Sequence, residues 1–121
     1  LVSGLDAARV YQTWPLMNGY YFPQNFNLNF NEPGFVQFIH RNLAYLIFFI
    51  SLYTVFYIHR FNLKKIYKIF YCYFTFIFIQ IILGILVLIY GFNFYFASAH
   101  QVSSIFLVLS TLTMIHMSLK S

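Results

Sequence analysis

The sequence has little charge. Of its 121 residues only 7% are Asp, Glu, Lys or Arg, where a soluble domain carries about 25%. Such a chain lacks the polar groups to cover a water-facing surface. With 61% of it hydrophobic, the bilayer is the solvent it suits. Acid is scarcer still. Asp6 and Glu32 are the only carboxylates, far apart in sequence, so they offer thin support for general acid–base work. Asp6 is read instead as a helix-end cap or a partner of Arg9. There is a single cysteine, Cys72, within an apolar run, which excludes an internal disulfide. No Ser/His/Asp triad, phosphate loop or zinc-ligand spacing occurs. The chain does not open on Met, and "LVSGLDAA" lacks the basic stretch of a secretory signal. Residues 1–8 read as the end of an apolar segment, and a truncated, processed or split protein is expected.

What is present is aromatic and aliphatic. Seventeen Phe and eleven Tyr, with many Ile and Asn, outweigh Ala, Gly and Pro, a bias that suits an AT-rich genome. The net charge of +5 does not point to nucleic acid, because the basic residues form no broad patch and most sit in one short loop. Three apolar stretches, 36–58, 66–90 and 95–119, meet the roughly 20 residues a membrane-spanning helix needs. An open sheet cannot satisfy its edges in lipid. The expected fold is therefore an all-α membrane protein with three full transmembrane helices plus the end of a fourth at 1–8. Membrane lipid is its first partner.

The loop "HRFNLKKIYK" carries Arg60, Lys64, Lys65 and Lys68. By the positive-inside rule, this loop at 59–68 faces the cytoplasm or matrix. Residues 9–35 and the link 91–94 then lie on the outer side. The outer segment mixes Trp14, Tyr20, Tyr21 and Phe22 with Asn and three prolines. It is read as an interfacial cap over the bundle formed by 36–121, since amphipathic rings favour the headgroup layer.

Four histidines stand at 40, 59, 100 and 116. A charge within hydrocarbon is costly, so "IHRN" at 39–42 asks for a reason. His40 lies about 6 Å inside the first span and His100 about 7–8 Å inside the third, by helical rise. Both helices run from outside to inside, so the two imidazoles share a depth. That is the arrangement that clamps a haem edge-on with one imidazole on each iron face. No C-x-x-C-H run exists, so covalent haem attachment is excluded. Small residues lie near His100, at Ala97, Ser98, Ala99, Ser103 and Ser104. On the middle span Gly84 leaves room at the same level, and Gln80 sits one turn below it. Arg41 is placed to reach the outer interface and pair with a propionate. A hydrogen-bonded packing role for the histidines, or a non-haem metal, stays open. The metal is disfavoured because no Cys, Asp or Glu stands beside them.

A second site between His59 and His116 is not expected. At about 100° per residue, 40 and 59 are offset by about 100°, and 100 and 116 by about 160°. Neither pair shares a helix face. His59 also abuts Arg60 in the basic loop.

Four motifs, "GLDAARVYQTWPLMNG" at 4–19, "FVQFIHRNLAYL" at 35–46, "QIILGILVLIY" at 80–90 and "ASAHQVSSIFL" at 97–107, together resemble the C-terminal half of haem A synthase. The form resembled is the mitochondrial and alphaproteobacterial one. The motifs fall in the family order and cover most of the chain. Two mild departures are Ala8, where the family usually has Gly, and "YQTWPLM" for a "YNTFPLM"-like stretch.

The resemblance implies an eight-helix protein of two pseudo-symmetric four-helix halves. The chain would be one of them. The family oxidises the C8 methyl of haem O to the formyl of haem A for cytochrome c oxidase. The substrate and an essential glutamate belong to the N-terminal half, so catalytic residues are not expected in this chain. The C-terminal half holds haem b. Carried over by motif, His40 and His100 become its axial ligands, with Arg41 and Gln101 as motif neighbours. Expected partners are the N-terminal half, in the same or a separate chain, haem O synthase and oxidase assembly factors. The expected location is the mitochondrial inner membrane or the bacterial plasma membrane. Two other readings remain: a b-type cytochrome anchor of a quinone-linked dehydrogenase, and a haem-free structural subunit of a respiratory complex.

Overall fold

The computed structural model describes residues 10–24, 26–90 and 93–120. The expected helix end at 1–8 and the Asp6–Arg9 pair lie outside them. Within them are three α-helices, α1 (Pro33–Arg60), α2 (Tyr67–Ile89) and α3 (Phe94–Leu119). A 3-10 turn, Lys64–Ile66, precedes α2. All three helices are long and apolar enough to cross a membrane. The chain is an all-helical integral membrane protein.

The helix boundaries follow from local chemistry. α1 begins at Pro33, inside the segment read as cap, because proline suits the first helical turn, where its missing N–H costs nothing. α1 ends in a Schellman reversal. The Leu63 N–H donates to the Ile58 carbonyl at 3.1 Å and the Asn62 N–H to the His59 carbonyl at 3.3 Å. Asn62 takes the left-handed conformation this needs, with φ 54°. α3 is capped by Asn93, whose Oδ1 accepts from the Tyr95 N–H at 2.9 Å, satisfying one of the free donors at the helix start.

α2 and α3 pack as a close antiparallel pair. The contacts climb in register. Phe76 stacks on Phe106 with ring centroids 5.7 Å apart. One turn outward, Ser103 donates to Gln80 Oε1. One more turn outward, His100 meets Gly84. α1 meets α2 more loosely, through a Ser51–Tyr73 hydroxyl contact of 3.4 Å and rings Phe48 and Phe74 at 6.2 Å. Eleven residues outward from Ser51 and from Tyr73 stand His40 and Gly84. The register of the two pairs therefore brings His40, Gly84 and His100 to one level.

The segment before α1 folds back onto that helix. The Gln37 side chain pairs with the backbone of Tyr11 in both directions. Its Oε1 accepts from the Tyr11 N–H at 3.2 Å, and its Nε2 donates to the Tyr11 carbonyl at 2.8 Å. The Tyr11 ring lies against the helix at Gly34, where a Cβ would meet Tyr11 Cε2 at 3.4 Å, an ordinary van der Waals contact. A two-residue turn at Asn18 and Gly19, φ 51° and 90°, joins Met17 and Tyr20 through paired backbone bonds. Both central residues need positive φ, which Asn-Gly accepts most readily. Tyr21, Phe22 and Phe26 gather round Phe38 with centroids 5.3–5.6 Å apart. Trp14, Tyr20, Tyr21 and Phe22 stay partly exposed.

Gln37→Leu removes both bonds to Tyr11 and leaves the buried Tyr11 N–H unpaired, its carbonyl keeping Arg41, at a cost of about 1–3 kcal/mol. Limited proteolysis is expected to cut the 10–24 segment faster in this variant, with helix content by circular dichroism unchanged. Equal cutting rates would remove Gln37 as the anchor.

Candidate functional site

One cavity of 310 Å³ opens between the folded-back segment and the halves of the three helices far from the basic loop. Its size is that of small-molecule and cofactor sites, which run from about 300 to 1,000 Å³. Most of its wall is apolar, from residues such as Ile81, Ile85 and Leu88. His40, Arg41, Gly84, His100 and Gln101 all border it, so every site residue named from the sequence reaches the same space. His40 is seven residues into α1 and His100 six into α3, about 10 Å and 9 Å from their helix starts.

His100 is held from α2. Ser103 donates to Gln80 Oε1, which turns the amide NH2 toward His100. Gln80 Nε2 lies 3.4 Å from His100 Nε2, a long and weak hydrogen bond. With the amide as donor, His100 Nε2 is the acceptor and the ring proton sits on Nδ1, so a metal bound at Nε2 would take the place of the Gln80 contact. His100 Nδ1 is buried and has no partner among the described residues. A Cβ on Gly84 would stand 3.1 Å from His100 Cε1. Gly84 therefore makes room for the His100 ring itself, as well as bordering the cavity.

Arg41 does not extend to the outer interface as expected. It is 9% exposed, and its Nη2 donates to the Tyr11 carbonyl at 3.1 Å. The same carbonyl accepts from Gln37, which draws the guanidinium inward. Its Nε and Nη1 are buried with no partner among the described residues. Unpaired charged donors in such a place are costly, and an anionic group entering the cavity would satisfy them.

The small residues near His100 divide. Ala97 lines the cavity, Ser103 serves α2, and Ser104 bonds the carbonyl of Gln101 on its own helix at 2.5 Å. Sequence reasoning passed over Trp14, Gln37, Ala44 and Tyr45, all of which line the cavity. For the last three a signal existed. Positions 37, 40, 41, 44 and 45 follow helical spacing and share one face of α1. For Trp14 none did, because its place depends on the fold of an irregular segment.

His59 and His116, toward the basic-loop end of the bundle, are engaged elsewhere or apart. His59 Nε2 lies 2.5 Å from the Tyr71 hydroxyl, and its ring is 5.0 Å from that of Tyr67. His116 is exposed on α3. Among the described residues no group of three or more His, Cys, Asp or Glu is placed to hold a metal ion.

Three bilayer-length helices with two imidazoles and a buried guanidinium around one cavity make this a membrane protein with an internal, cofactor-sized site. The chain belongs to the cytochrome oxidase assembly protein family (COX15-CtaA), whose family model matches residues 1–112. It is 42% identical over 120 residues to the haem A synthase of Pelagibacter ubique, covering 91% of this chain and 34% of that protein. Against the haem A synthase of Bartonella tribocorum it is 41% identical over 102 residues, covering 74% and 27%. Against that of Rickettsia africae it is 33% identical over 114 residues, covering 89% and 34%. The chain thus spans about a third of the length of these curated relatives. No solved structure matches significantly.

Gly84→Leu is expected to push the His100 ring from α2 and lower the stability of the α2–α3 pair by about 1–3 kcal/mol, the usual cost of overpacking. The midpoint of unfolding in detergent titration measures it. A midpoint equal to that of the unchanged protein would mean that α2 and α3 do not meet at this level.

Proposed function

We propose that this chain is the haem b-binding part of a haem A synthase, the enzyme that oxidises the C8 methyl of haem O to the formyl of haem A for cytochrome c oxidase. The observation that carries this reading is the single cavity bordered by both His40 and His100, with Arg41 nitrogens beside it that have no partner among the described residues. The donor set fits haem better than a bare metal ion. It offers two imidazoles, no thiolate or carboxylate, and a cation suited to a propionate. His40 and His100 would be the axial ligands, with Arg41 on a propionate. Gln101 borders the same space, and Gly84 gives the His100 ring its place. A haem held by two imidazoles supplies one-electron transfer.

Family membership and the "GLDA" and "WPLM" segments favour this reading over a dehydrogenase anchor. The haem O oxidation itself belongs to the other half of the eight-helix assembly, whether in the same or a separate chain. Haem O synthase and oxidase assembly factors are the further partners of such an enzyme. The basic loop at 59–68 faces the cytoplasm, or the matrix in a mitochondrial inner membrane, by the positive-inside rule. The curated relatives named above are bacterial, which favours the plasma membrane.

The test is a reduced-minus-oxidised visible spectrum of the detergent-purified protein, with pyridine haemochrome analysis. A sharp low-spin b-type signal near one haem per chain is expected. His40→Ala and His100→Ala are each expected to abolish it without loss of helix, while His59→Ala keeps it, because His59 serves Tyr71 at the opposite end. A folded, colourless protein would favour the haem-free structural reading. Loss of the signal in the His59 variant would overturn the assignment of ligands.

A further inference from the structure

The end of the bundle opposite the cavity is as basic as the cavity is apolar. Arg60 closes α1, Lys64 and Lys65 form the 3-10 turn, and Lys68 lies in the first turn of α2. The turn also packs against α3, whose last residues lead to Lys120. Arg60, Lys64, Lys65, Lys68 and Lys120 are all exposed. None of them makes an ion pair or side-chain hydrogen bond among the described residues. The one carboxylate among those residues, Glu32, stands before the start of α1, about 40 Å away along the helix.

The surface around these cations is built. The Schellman reversal at Asn62 sets the loop in one conformation. Tyr67 donates toward Asn62 Oδ1 at 3.5 Å, and His59 is fixed between Tyr67 and Tyr71. Beside the lysines, Phe61 is 58% exposed and Leu63 39%. Phe61 also stacks near Tyr57, with centroids 4.6 Å apart. Cations without counter-ions next to exposed apolar side chains match the two layers of a leaflet. The rings and Leu63 enter the acyl boundary, and the ammonium groups stand at phosphate depth.

We propose that this end of the bundle binds the headgroups of anionic phospholipids, with Arg60, Lys64, Lys65 and Lys68 as the phosphate contacts. Charge complementarity and position commit the surface to lipid rather than to a free anion. Each such cation at an anionic surface strengthens the attraction roughly fivefold. The inference is independent of what occupies the cavity.

The experiment uses the full chain in nanodiscs of equal parts phosphatidylcholine and phosphatidylglycerol, with native mass spectrometry of the retained lipid. A nanodisc presents both leaflets, so insertion orientation does not enter. The expected result is a several-fold enrichment of phosphatidylglycerol over the bulk ratio. The enrichment should fall in high salt, which screens exposed charges, and fall several-fold in the Lys64→Gln/Lys65→Gln/Lys68→Gln variant, which keeps only Arg60 of the four contacts. Should the triple variant fail to fold, the three single variants carry the comparison, each lowering the enrichment in part. Inorganic phosphate added to phosphatidylcholine discs supplies the other source of the same chemistry. Phosphate bound as tightly as the lipid would overturn the assignment to headgroups. A retained lipid ratio equal to bulk, or an enrichment unchanged in the glutamine variants, would overturn the proposal.

Discussion

The close approach of α2 to α3 at Gly84 is the constraint on which the site depends. A single missing Cβ allows the His100 ring to lie against the backbone of α2. From that point inward the pair stays in register through Ser103–Gln80 and Phe76–Phe106. A larger residue at 84 would wedge the helices apart and carry His100 away from His40. In lipid this matters more than in water. Apolar burial does not drive helices together there, so close packing and interhelical hydrogen bonds set the geometry. Gly84, Ser103 and Gln80 supply both.

Arg41 ties the cavity to the segment that precedes α1. Its guanidinium and the Gln37 amide converge on the Tyr11 backbone, so one helix face holds the folded-back chain and lines the site. The arrangement leaves two guanidinium nitrogens without a partner among the described residues, next to an apolar wall. Buried donors are rarely left without partners, and their presence beside two imidazoles gives the cavity a polarity that suits a flat apolar group with an anionic edge. The helices also divide the labour by depth. The halves far from the basic loop build a site, whereas the ends at that loop gather cations and tyrosines.

Much of the fold was legible in one dimension. The three apolar runs, the basic loop and the depth of His40 and His100 follow from helical rise and from the cost of charge in lipid. The offsets between 40 and 59 and between 100 and 116 were equally readable, because a helix has a known turn per residue; in the structure His59 contacts Tyr71 and His116 is exposed. The boundary at Pro33 was readable in principle and was missed, since hydropathy marks the apolar stretch and not the polar first turn that proline begins. The neighbours Gln37, Ala44 and Tyr45 shared the face of His40, but a face has meaning only once a partner helix is placed against it.

The sequence by itself determined that this chain lives in a bilayer, which three stretches of the described residues form bilayer-length helices, and which histidines stand level. Those properties depend on composition and helical periodicity, which are local. Only the tertiary structure decided that Arg41 turns inward to Tyr11, that Gly84 serves the His100 ring, and that Trp14 reaches the cavity. Each of these depends on how far apart two backbones lie and on the path of an irregular segment. Such distances arise from many weak contacts acting together, and no single stretch of sequence carries them.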